Sequence, residues 1–224
     1  PNTIVNGDSF LDIAMTDAAN SALQLSMQFN TSSELVTELR DTSALLIGAV
    51  GTNALTPSTE YFTSLNYTGK SEVGGISLLV NGTPIDSDTP SGKRISNSNA
   101  VMHIGKDAYS ANYYDGSISE LFIRNKPMSA DFEKVLRLSM TDQLGTYDII
   151  EGSSSSTTDP YWAQTVLCMP MNGVPESKYI QDLKNNKVTT YGDAKLNSTN
   201  KKFGNTSAHF DGVGDYLLIP DSVD

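Results

Sequence analysis

Two histidines are the only side chains in this sequence that titrate near neutral pH without help: His103 in "VMHIG" and His209 in "SAHFD". A serine or cysteine nucleophile needs such a base beside it. Both histidines stand in strand-like apolar surroundings, which reads as packing, and no G-x-S-x-G elbow occurs. The one cysteine, Cys168 in "TVLCMPM", sits in an apolar run and reads as a small buried hydrophobe. Glycoside hydrolysis asks for two carboxylates across one sugar bond. Glu120 stands alone in "GSISELFIRN", so no acid and nucleophile pair is encoded and no catalytic residue is assigned.

Recognition is better provided for than catalysis. "YSANYY" places Tyr109, Tyr113 and Tyr114 in an Asn-rich neighbourhood, and phenol rings on loops can stack on the apolar faces of sugars. The same rings can equally pack a rim. Asn30, Asn66, Asn81, Asn197 and Asn205 each begin an Asn-x-Ser/Thr triplet, but in a chain this rich in Asn, Ser and Thr chance supplies several.

Elements that could hold such residues are short and extended. "SFLDIAM" (9–15) reads as a strand, and "ALQLSMQFNTSS" (22–33) alternates with Leu23, Leu25, Met27 and Phe29 on one face. "ALLIGAVG" (44–51), "EYFTSLNYT" (60–68), "AVMHIGK" (100–106) and "GSISELFIRN" (116–125) continue the series. "GISLLVNGTPID" is the clearest hairpin, because Asn81-Gly82 supplies the two positive φ angles of a type I′ turn. Ser129 as an N-cap, with Phe132, Val135, Leu136 and Leu144 near helical spacing, predicts one short helix. The fold class expected is all-β.

Composition narrows the partners. A net charge of −11 and a pI near 4.5, with no long basic run, exclude nucleic acid as the main partner. The longest apolar run, "ALLIGAV" (44–50), is too short for a membrane helix, so no membrane insertion is expected. A single cysteine rules out an intramolecular disulfide and a C-x-x-C metal site. The chain opens on Pro1 and shows no signal peptide, the pattern of a processed product or a piece of something longer.

"EGSSSSTTDP" (151–160) reads as a linker, giving a 1–150 domain, a 151–158 linker and a tail of 159–224 with perhaps four strands. Four strands cannot cover their own apolar faces. The tail is therefore expected to complete itself with strands from beyond Asp224 or from a neighbouring subunit. Both ends also share a cadence: "NGDSFLDIAMTD" near the front and "VGDYLLIPDSVD" at the back.

At these residues the chain resembles a known family. The tail, with "MNG", Asp182, "KFG", "SAHFDG", "GDYL" and "IPDS", is similar to the first third of concanavalin A-like (laminin G-like) jelly-roll modules. Residues 60–145, with "LLVNGTPID" and "MHIGKDAYSANYYDGSISELFIRNKPMSADF", are similar to the last half of the same module. The resemblance implies an antiparallel jelly-roll β-sandwich over 1–150 and part of a second, similar module in 159–224, with the two Gly-Asp segments as equivalent strands. It also implies calcium at the sandwich rim, at Asp115, Asp211 and Asp215 with Asp8 assisting, although Asp-Gly pairs build plain turns as well. No other cofactor is required. Sandwich glucanases of this superfamily carry E-x-D-x-x-E on one strand, which is missing here.

Such modules are common in phage tail and virion proteins. The expectation is a non-enzymatic component of a phage-like particle, a decoration, fibre or tail protein at the virion surface. Its partners would be other virion proteins, further copies of itself and host-surface glycans. The alternative is a carbohydrate-binding module of a secreted enzyme or adhesin, and a catalytic domain in the parent reading frame would favour it.

Overall fold

A computed structural model describes residues 9–15, 23–30, 32–40, 46–69, 73–91, 100–108, 111–126, 162–201 and 204–220. The expected helix after Ser129, the 151–158 linker, Asp8 and Tyr109 lie outside the described residues. Within them the chain is all-β. Its strands are β1 (Ser9–Met15), β2 (Leu23–Phe29), β3 (Glu34–Arg40), β4 (Leu46–Ala54), β5 (Thr63–Tyr67), β6 (Ile76–Val80), β7 (Thr83–Asp88), β8 (Ala100–Ile104), β9 (Asp115–Ile118), β10 (Leu121–Arg124), β11 (Thr165–Met169), β12 (Thr189–Tyr191), β13 (Lys195–Asn197), β14 (Ser207–Asp211) and β15 (Tyr216–Ile219). A 3-10 turn, Trp162–Gln164, leads into β11.

All described pairings are antiparallel. One sheet runs β12-β15-β8-β1-β2-β3-β4, and beside it are β13-β14-β9, β5-β6-β7 and the pair β10-β11. Alternation along β3, β6 and β15 sends every second residue into a shared core, to which the other sheets add. Met27, Leu35, Leu39, Val50, Ile104 and Leu217 enter it from the large sheet, Ile76 and Leu78 from β6, Leu167 and Met169 from β11, and Leu196 and Phe210 from β13 and β14. Burial of this kind is worth roughly 1.5–3 kcal/mol per large apolar side chain. The sheets meet closely: a Cβ on Gly48 of β4 would collide with the Ile76 side chain of β6.

Several expectations hold. Asn81 and Gly82 have φ of 52° and 74°, and the hairpin joins β6 to β7. Met27 is buried, with Leu25 and Phe29 packed against the same core, and Cys168 is buried. Three details differ. The stretch 22–33 gives β2 and then a turn into the unanticipated β3, with Asn30 Oδ1 accepting the Ser32 and Glu34 amides. Residues 116–125 break at Ser119–Glu120 into β9 and β10. The tail holds five strands, not four.

The tail's partners need a correction. They were expected from beyond Asp224 or from another chain, whereas β15 pairs with β8, β14 with β9, and β11 with β10 of this chain. The two similar Gly-Asp segments thus flank a single strand: Leu11 and Leu217 both face Ile104, and Ile13 and Ile219 both face Met102.

Candidate functional site: an aromatic and cationic row on the large sheet

In β15 the buried positions are Leu217 and Ile219, so Tyr216 and Leu218 take the outer face of the sheet. In β8 the buried Ile104 likewise leaves His103 outside. Tyr191 of β12 is the cross-strand partner of Tyr216. Their rings lie parallel, centroids 4.5 Å apart with 3° between planes, and Tyr191 is 39% exposed. The His103 ring is tilted against Tyr216 with centroids 5.8 Å apart.

Just past β8 the chain turns at Gly105, whose φ of 88° suits glycine and whose missing Cβ makes room for the buried Phe210 ring, 2.6 Å from that position. This turn sets Lys106 in a bridge with Tyr113. The Lys106 ammonium then stands 5.0 Å from the Tyr216 ring centroid and 6.0 Å from that of Tyr113. The result is a row of Tyr191, Tyr216, Lys106 and Tyr113 along one end of the outer face.

Electrostatics favour donors here. Burial holds the Tyr216 phenol above its usual range, with Tyr191 and Tyr113 adding to it, so it stays an O–H donor. Burial and then Lys106 hold His103 below its ordinary value, against Asp107, which makes it a neutral imidazole at neutral pH. His103 Nδ1 is buried without a hydrogen-bond partner, as is Ser26 Oγ on β2. Register links the two: His103 faces Asp12, Asp12 faces Ser26, and Ser26 faces Glu38.

The sequence-predicted residues divide. Tyr113 joins the row. Tyr114 instead turns inward, its ring 6.1 Å from Phe210 and 6.5 Å from Phe29 by centroids. Asp115 and Asp211 are cross-strand partners, and Asp215 lies next to them. Asp215 is buried, and its two oxygens accept the amides of Asp193 and Asp211. Burial raises its pKa, with those two amides opposing. Asp211 accepts the Val213 amide at 2.8 Å. Two of the three carboxylates thus hold turns, and among the described residues no group of three or more His, Cys, Asp or Glu is placed to hold a metal ion. Asp182 does similar work, accepting the Cys168 amide at 2.7 Å and the Asn186 amide at 2.9 Å.

The histidines lie in different sheets, His209 on β14 and His103 on β8. Glu120 is largely buried, and burial pushes its carboxyl up to about 7. Tyr191, Tyr216, Lys106 and His103 were not anticipated as a group. Their only signal is the "TTY" and "DYLLI" strand ends, which become neighbours once β12 pairs with β15.

Comparison with known proteins gives no matching family model, no matching curated protein and no matching solved structure.

Proposed function

We propose that this chain is a non-enzymatic adhesion module with jelly-roll connectivity, carried on the surface of a phage-like particle as a decoration, fibre or tail protein. It binds surface glycans through the outer-face row. The observation that carries the glycan reading is the stacked Tyr191–Tyr216 pair with Lys106 beside it. The outer ring face of the exposed Tyr191 and the ring edges and phenol hydroxyls of the pair match the apolar faces and hydroxyls of sugars, and a pre-stacked pair loses little side-chain freedom on binding. The particle setting is supported by the likeness of "LLVNGTPID", "SAHFDG" and "GDYL" to the virion modules. Its other partners there are virion proteins and copies of itself.

A glycan array probed with the wild type and with Tyr191→Ala and Tyr216→Ala tests the reading. Binding to a defined set of glycans should be lost in both variants while their thermal melts stay cooperative. Equal binding by all three proteins would reject the row. No metal is needed for this contact, so EDTA should leave binding in place.

A further inference from the structure

Two lysines that flank Tyr191 in sequence are already occupied. Lys178 donates to Gly192 O at 2.9 Å and pairs with Asp193 at 2.9 Å, and Lys195 pairs with Glu176 at 2.7 Å. Lys106 differs. Its ammonium meets two ring faces, and among the described residues no carboxylate oxygen lies within ion-pair distance of it. Asp107, its neighbour in sequence, donates its backbone amide to Asn112 O at 3.0 Å, and its charge acts on His103 against that of Lys106. Residues 176–202, which include the Tyr191 side of the row, carry six lysines against three carboxylates, Glu176, Asp182 and Asp193, in a chain whose net charge is −11. The acidic balance therefore lies elsewhere along the chain. At about 0.1 M salt, charges more than roughly 10 Å away are largely screened, so the nearby groups decide what approaches the row.

We propose that the sugar taken by this row carries a carboxylate, as uronates and sialates do, with that carboxylate on Lys106 and the sugar lying along Tyr191 and Tyr216. The inference rests on the glycan reading above and sharpens it. A neutral sugar can use the rings but leaves the ammonium without an anion. A carboxylate there forms a charge-assisted hydrogen bond, and the neighbouring rings keep part of the water away from it. The Tyr216 phenol, held protonated, can donate to the same anion or to an adjacent hydroxyl.

Matched pairs of ligands separate the charge from the sugar. Oligogalacturonate against its methyl ester, and sialyllactose against lactose, are titrated calorimetrically into the wild type, Lys106→Gln, Lys106→Arg and Tyr216→Ala. At least one acidic member should bind on the order of tenfold or more tighter than its neutral partner. Lys106→Gln should bring it down to the neutral level with an unchanged melting temperature, Lys106→Arg should keep most of the preference, and Tyr216→Ala should weaken both members. Equal affinity for acidic and neutral members, or an acid preference that survives Lys106→Gln, overturns the inference and leaves the glycan reading in place. Failure of every ligand to bind, together with an empty glycan array, overturns both.

Discussion

Phe210 tests whether the tail and the front of the chain form one cooperative unit. It lies on β14, between β13 and β9, and is fully buried. Its ring fills the space left by Gly105 beyond β8 and packs against Tyr114 before β9. Phe210→Ala removes a whole ring from between the Gly105 backbone and the Tyr114 ring and leaves a cavity there. The expected cost is about 3–5 kcal/mol, a melting temperature lower by roughly 6–20 °C for a chain of this size. The single tryptophan, Trp162, precedes β11 and reports on the tail by fluorescence, while far-UV circular dichroism reports on all strands. Urea transitions followed by the two probes should coincide in the wild type and shift together in Phe210→Ala. If the Trp162 transition moves alone and the bulk of the strand signal keeps its midpoint, then strands β8, β9 and β10 do not depend on the tail and the reasoning fails.

Other predictions follow from particular side chains. Glu120 has a folded pKa of about 7 against an ordinary value of 4.5, so its contribution is fully present below the ordinary value and is lost as pH rises through 7. Between about pH 5 and about pH 8 the wild type should lose up to about 3 kcal/mol relative to Glu120→Gln in urea unfolding, and parallel pH profiles would contradict this. Asp215→Ala leaves the Asp193 and Asp211 amides without their acceptor and should cost about 1–3 kcal/mol by thermal melt, while a neutral result would show the turns hold without it. At the edge of the large sheet, Asp88 and Asp86 accept the β4 amides of Ala49 and Gly51 at 3.1 and 2.9 Å. The double change to alanine bares that edge and should produce concentration-dependent association in sedimentation velocity, whereas a monomer at all concentrations would show that the edge is guarded by other means.

Local signals were legible in the sequence and long-range ones were not. Asn81-Gly82 forces its own turn, and β2 alternates cleanly, so both could be placed without knowing their partners. β3 hid because its alternation is mixed: Thr37 faces the core between Leu35 and Leu39, while Val36 takes the opposite face. Asp115, Asp211 and Asp215 were visible, but whether such carboxylates face solvent or hold amides depends on contacts such as Asp215 to Asp193, 22 residues away. The tyrosine row was least legible of all. Tyr191 and Tyr216 become one surface only through the β12–β15 register, and Lys106 joins them only after the turn at Gly105. The tail's pairing with β8, β9 and β10 is likewise a choice among apolar edges that no local pattern encodes.

The outer-face row of Tyr191, Tyr216, Lys106 and Tyr113 is the proposed glycan-binding surface. Amide chemical shifts recorded while a bound acidic oligosaccharide is titrated into the labelled protein test it most directly. Perturbations should concentrate at 103–107, 113–116, 189–193 and 214–218. Saturable shifts confined to the opposite layer, around β5, β6 and β7, would contradict it.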